Sequence, residues 1–233
     1  MRIYRPLLAL ALVLPSLVFA AKHTPLVTPA VQDQLTSAQV LKRLKAGNAR
    51  FVKNKTHHQN FHTNRQQTAA QQHPAAVILS CIDSRVPPEI VFDQGVGNVF
   101  VSRVAANVIN KDILGGLEFA TAAAGAKLIV VMGHDSCGSV RGACQNVKLG
   151  NLTHLLNKVK PAVDQVKEKQ GAVNCEKAHD VDAIAKQNVI NVVNAIAKDS
   201  PVIAKLLDEH KIAIIGAMYH LSTGKVSFFN EKH

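Results

Sequence analysis

"AAVILSCIDSR", residues 75–85, runs from six apolar or small residues into a cysteine, an aspartate and an arginine on alternate positions. An apolar run this short, rich in Val, Ile and Leu and closed by polar residues, reads as a strand buried on both faces. The pattern recurs at "NVFVSR" (98–103), "KLIVVM" (127–132) and "KIAIIG" (211–216), with a shorter "KVSFF" at 225–229. Helical periodicity fills the intervals: an apolar helix over "DILGGLEFATAAAG" (112–125), then most of 138–209. Buried strands alternating with helices predict an α/β fold, a mainly parallel four-stranded sheet plus a short edge strand, with helices on both faces. Upstream lies an N-terminal helical arm. Pro25 and Pro29 mark an extended segment, and "SAQVLKRLKAGNARFVKN" (37–54) places Val40, Leu41, Leu44 and Phe51 on one helical face with Ser37 as its cap. The polar stretch from Lys55 to His73 reads as a loop or irregular helix, and its histidines (His57, His58, His62, His73) as solvated, since they lack ligand spacing.

The 233 residues, 47% of them hydrophobic, suffice for one large core. Residues 1–20 read as a signal peptide: Arg2 and Arg5 precede an apolar run from Leu7 to Leu14, and Val18-Phe19-Ala20 fits cleavage after Ala20. The expected product is a single domain over 21–233, periplasmic or secreted, with no stable membrane insertion. Removing Arg2 and Arg5 takes the formal charge from +11 to +9. That charge does not indicate nucleic acid. The basic residues are dispersed, aromatic residues make up 4%, and there is no Trp to stack on bases.

In parallel sheets, ligands sit beyond the carboxyl ends of strands, where strand order reverses. Two of the predicted strands end in reactive side chains: one in Cys81-Ile82-Asp83-Ser84-Arg85, the other in Gly133-His134-Asp135-Ser136-Cys137. If these strands are neighbours, Cys81, His134 and Cys137 meet as two sulfurs and a nitrogen, a donor set that favours tetrahedral zinc. The fourth position falls to water or to Asp83. Arg85 can hold that carboxylate through paired, charge-assisted hydrogen bonds and keep the position open. A redox pair is disfavoured because Cys137 and Cys144 lack Cys-x-x-Cys spacing. "GVGNVF" (95–100) lacks the third glycine and the helix of a phosphate-binding turn. Cys144 and Cys175 have no place in the metal set, and the sequence leaves a disulfide and two free thiols equally open.

Two stretches carry a resemblance to the β-class carbonic anhydrases: "CIDSRVPPEIVFDQGVGNVFVSRVAANVI" (81–109) and "LIVVMGHDSCGSVRGA" (128–143). It extends to "LKRLKAGNARFV" (41–52), "SPVIAKLL" (200–207) and "IIGAMYHLSTGKVSFF" (214–229). The resemblance implies zinc on Cys81, His134 and Cys137, one ion per chain, with Asp83 and Arg85 as a catalytic dyad. Gln72 falls where the plant-type branch carries a substrate-binding glutamine. The implied reaction is reversible hydration of CO2 to bicarbonate and a proton, by attack of zinc-bound hydroxide. The implied assembly is a homodimer or homotetramer with active sites at subunit interfaces. Alternatives on the same fold are a zinc-binding protein without catalysis, or a zinc hydrolase of another small linear molecule such as CS2. Some bacterial members have a second, non-catalytic bicarbonate site. Arg103 and Tyr219 match part of its pattern, but Ile78 and Ser80 stand where it has Trp-x-Gly, which predicts that the site is absent.

Overall fold

The computed structural model describes residues 25–232. The predicted signal peptide lies outside them. Five strands form one sheet: β1 (Ala76–Ser80), β2 (Val99–Arg103), β3 (Leu128–His134), β4 (Ala213–Tyr219) and β5 (Val226–Lys232), in the order β2-β1-β3-β4-β5. The first four are parallel, and β5 runs antiparallel to β4. The fold is therefore the expected α/β sheet with one correction. The edge strand is as long as β3 and β4, because the turn at residues 220–225 lets it return along the whole of β4.

The predicted neighbours β1 and β3 do pair, from Ala76 beside Leu128 to Ser80 beside Met132. Side chains alternate between two cores. Val77, Leu79, Ile129, Val131 and Ile214 face one layer of helices; Ala76, Ile78, Val130, Met132 and Ile215 face the other. The first layer includes α5 (Lys111–Glu118), α6 (Gly138–Cys144), α7 (Gly150–Asn157), α8 (Lys160–Gln170), α9 (Ala178–Asp199) and α10 (Pro201–Asp208). The second is thinner, built from α2 (Ser37–Val52) and α4 (Pro88–Val91), with Leu41, Leu44, Val91 and Phe92 buried against the sheet.

Three local expectations need correction. Pro29 does not extend the arm but opens α1 (Pro29–Gln34), since its fixed φ suits the first helical position. The cap of α2 is Thr36, not Ser37. Thr36 is extended and accepts from the Gln39 N–H, while the Gln39 side chain accepts from the Thr36 N–H, so Ser37 is already helical. The helix expected over 112–125 stops at Glu118 and continues as a single π-turn, Phe119–Ala123. The polar stretch holds a short helix, α3 (Phe61–Thr68), capped by Asn60 and burying none of its residues.

Cys144 and Cys175 form a disulfide, which settles the pairing the sequence left open. It ties the end of α6 to the segment between α8 and α9. Closing a loop across 31 residues restricts the unfolded chain and contributes about 3–4 kcal/mol in the chain-entropy account.

Helices α2 and α4 approach so closely at Gly47 that a Cβ there would lie 1.8 Å from the Phe92 carbonyl oxygen. Alanine in a helix interior is ordinarily favoured over glycine by about 1 kcal/mol. Gly47→Ala should have the opposite sign, lowering stability by about 1–3 kcal/mol in denaturant unfolding as the backbone is forced apart. A neutral or stabilising result would show that this approach is loose.

Candidate metal centre

Parallel pairing sends the chain out of β1 and β3 at the same edge of the sheet. Cys81 follows Ser80 directly, and His134 ends β3 two residues beyond Met132, the partner of Ser80. Cys137 then caps α6. All three side chains are buried, and their ligand atoms lie within 4.8 Å of one another. The two sulfurs are 4.0 Å apart and unbridged.

The close fit requires Gly133: a Cβ there would lie 2.8 Å from Val189 on α9 and 2.9 Å from Met218 on β4. Ring orientation comes from the backbone. His134 Nδ1 lies 2.8 Å from the Asp135 carbonyl oxygen, which can only accept, so the proton sits on Nδ1 and Nε2 keeps its lone pair. That Nε2 is buried and has no hydrogen-bond partner among the described residues. A buried imidazole nitrogen without a partner, facing two thiols, is a donor set that fits a metal ion of zinc's type.

The sulfurs are tuned apart. The Cys137 thiol, His134 and the backbone N–H groups of Asp83 and Ala106 bring the Cys81 thiol down to about 4 against the pull of burial. The same hydrogen bond to Cys81, with burial, pushes Cys137 up, although the N–H groups of Ser139 and Val140 face its sulfur. The contact between the sulfurs thus favours the thiolate at Cys81 and the thiol at Cys137. Burial disfavours the imidazolium of His134, but the Cys81 sulfur and the Asp135 carbonyl outweigh it and raise its pKa.

Asp83 and Arg85 sit at the mouth. Arg85 Nε donates to Asp83 Oδ1 at 2.9 Å and Nη2 to Oδ2 at 2.7 Å, a bidentate pair, and the Arg85 N–H adds 3.0 Å to Oδ1. These bonds hold the Asp83 carboxyl well below the usual carboxylate range. Asp83 Oδ2 stands 3.8 Å from His134 Nε2, beside the ligand set. Arg103 supports the loop from below, donating to the carbonyls of Cys81 at 3.0 Å and Asp83 at 2.5 Å.

Five of the six residues expected from the sequence thus meet beyond the ends of β1 and β3. Gln72 does not. It is exposed and precedes β1, while Cys81 follows it, and Ala76 to Cys81 alone spans about 17 Å of extended chain. Sequence reading also missed the supports. Asn188 on α9 donates to the Ala106 carbonyl at 2.8 Å, holding the left-handed residue whose N–H faces Cys81 (φ 55°). Asp182 on α9 accepts from the Ser136 N–H at 2.7 Å. Both lie on an amphipathic helix, where a polar residue gives no sign of a long-range partner.

A family model described as carbonic anhydrase matches residues 76–226. A carbonic anhydrase of Mycolicibacterium smegmatis is 38% identical over 191 residues, covering 79% of this chain and 89% of its own. Carbonic anhydrase 2 of Mycobacterium tuberculosis is 37% identical over 185 residues, covering 79% and 88%. Among solved structures, a tetrameric β-carbonic anhydrase of the ascomycete Sordaria macrospora aligns with a TM-score of 0.67 at 24% identity, over 74% of this chain and 92% of that one.

The split between the two sulfurs is measurable. Metal-free, reduced protein at about pH 7 should show the ultraviolet absorbance of one thiolate rather than none or two, because a depressed pKa leaves Cys81 ionised and a raised one leaves Cys137 protonated. Cys81→Ser leaves one sulfur and removes the contact that raises Cys137, so its thiol should titrate in a single step at lower pH than in the pair. Two thiolates at that pH would contradict the shared proton.

Proposed function

The chain belongs to the β-carbonic anhydrase family, and from that premise we propose that it catalyses the reversible hydration of CO2 to bicarbonate and a proton. One observation carries the reading: two thiols and a partnerless imidazole nitrogen converge beside a carboxylate already fixed by a guanidinium. Cys81, His134 and Cys137 would hold one zinc ion, since sulfur and imidazole donors suit zinc rather than magnesium or calcium. When bound, zinc supplies a Lewis acid that makes hydroxide available from water near neutral pH.

The chain's own residues do the rest. Arg85 keeps both oxygens of Asp83 occupied, so the carboxylate stays out of the ligand set and remains ionised. An ionised carboxylate is acceptor-only. With the metal bound, Asp83 Oδ2 would accept a hydrogen bond from the attacking hydroxyl and so orient it toward the carbon of CO2. The same contact disfavours a rotated, unproductive hydroxyl. Arg103, tied to the carbonyls of Cys81 and Asp83, fixes the loop that carries both. That commitment of its guanidinium supports the expectation that no second bicarbonate site forms around Arg103 and Tyr219.

Gln72 can serve substrate only from a second copy, because its own chain places it at the other end of β1. This supports a homodimer or homotetramer, in keeping with the tetrameric Sordaria structure. No helix among the described residues is long and apolar enough to cross a membrane. The basic start and apolar run of residues 1–20 support export to the periplasm or medium, and the Cys144–Cys175 disulfide suits an oxidising compartment.

Stopped-flow CO2 hydration with zinc analysis on the same samples tests the proposal. Wild type should hydrate CO2 rapidly with one zinc per chain. Asp83→Ala should keep its zinc and lose on the order of 100-fold in kcat, the scale of a positioned proton-handling group. Cys137→Ser should lose zinc and activity together. Zinc-loaded wild type without hydration would remove CO2 as the substrate, and no zinc in reduced protein would remove the metal centre.

A further inference from the structure

We propose that Asp182 is a positioning residue of the metal centre, clamping the turn at Ser136 so that His134 and Cys137 point at the same place. The inference rests on the reading of Cys81, His134 and Cys137 as zinc ligands and extends it outward by one hydrogen bond.

Only Asp135 and Ser136 separate the last residue of β3 from the cap of α6. Within those two residues the chain must turn enough for both ligands to face Cys81. The turn is made by Ser136, whose φ of 51° lies in the left-handed region. For a residue with a Cβ that conformation costs on the order of 1 kcal/mol, and it persists only where surrounding structure holds it. Packing does not hold it, because Ser136 is exposed. The contact that does is its N–H, donated to Asp182 Oδ1 at 2.7 Å across 46 residues of sequence. A hydrogen bond to a carboxylate is about twice as strong as a neutral one.

Asp182 is itself well anchored. It sits between Val181 and Ile184 of α9, both fully buried against the sheet, so the carboxylate's position is set by the core. The other side of the turn is gripped independently. The Asp135 N–H donates to the Tyr219 carbonyl at 3.1 Å, and Asp135 Oδ1 accepts from the Leu221 N–H at 3.0 Å. The β4–β5 hairpin thus fixes Asp135 while α9 fixes Ser136. Of these bonds, the one to Asp182 acts on the strained residue itself. Without it, the turn relaxes, and the His134 and Cys137 donor atoms separate.

The test is the rate at which zinc leaves the loaded protein for an excess of a colorimetric chelator. Groups that orient metal ligands typically affect metal affinity by 10- to 100-fold. Asp182→Ala should therefore release zinc about tenfold faster or more. Asp182→Asn, which keeps an oxygen acceptor in place, should stay within about threefold of wild type. Ser136→Gly removes the strain, because glycine adopts positive φ freely. In that background the Asp182→Ala effect should shrink to about threefold or less, the signature of coupled sites. The melting temperature of metal-free Asp182→Ala should fall by no more than about 3 °C, since no core contact is lost.

Equal release from wild type and Asp182→Ala would overturn the clamp while leaving the metal centre intact. So would a full loss in Asp182→Asn, which would make charge rather than acceptor geometry the cause, or an undiminished effect in Ser136→Gly. Wild type that never loads zinc would overturn the centre and the clamp with it.

Discussion

Everything in the site depends on β1 and β3 lying side by side in parallel. That pairing puts Ser80 beside Met132 and so delivers Cys81 and His134 to one edge of the sheet within two residues of each other in height. The chain leaves the two strands toward opposite faces. After β1 it passes through α4 into the layer of α2, and after β3 it enters α6 on the opposite side. Helices diverging from adjacent strands leave a crevice between them, the place where open α/β sheets bind ligands. An antiparallel pair would send the two loops to opposite ends of the sheet and leave Cys81 far from the His134–Cys137 pair.

Within the crevice, burial alone would be unfavourable. A shielded imidazole nitrogen with no partner and a thiolate held in a mostly apolar surrounding each carry a desolvation cost. The backbone offsets part of it. N–H groups of Asp83 and Ala106 face one sulfur, and those of Ser139 and Val140 face the other. A cation at the centre would offset the remainder by accepting the imidazole lone pair and both sulfurs. The Asp83–Arg85 pair solves a different problem. A carboxylate so close to a cation would be drawn onto it, and a bidentate guanidinium competes through two directed bonds that a lysine, as a point charge, lacks.

The parts of this arrangement that sequence reveals are those written in local pattern. Apolar runs marked β1 to β4, and Cys81, Asp83, Arg85, His134 and Cys137 stood out because reactive residues followed those runs. The details that escaped depend on tertiary placement. Whether Thr36 or Ser37 caps α2 turns on one residue's ψ. The Cys144–Cys175 bridge depends on how α8 and α9 return past α6. Gln72 illustrates the limit most clearly. Its distance from Cys81 along the sequence is short, yet an intervening strand places it at the wrong end of the sheet for its own site. Asp182 and Asn188 are polar residues on a long amphipathic helix, and nothing in periodicity separates them from solvated neighbours.

Those last two residues show how the fold divides its labour. The loops that touch the metal position are conformationally costly: Ala106 and Ser136 are left-handed, and Gly133 is closed in by α9 and β4. Helix α9 meets each of them, through Asn188, Asp182 and Val189 in turn, while its apolar face is locked into the larger core. The strain is therefore held from outside the ligand loops, by an element whose position the core sets. In a small zinc module, by contrast, the ion itself supplies most of the folding free energy. Here the sheet and α9 place the ligand residues through contacts that do not involve the ion. Geometry set by the protein in this way would let a bound metal keep an open position without a fourth protein ligand.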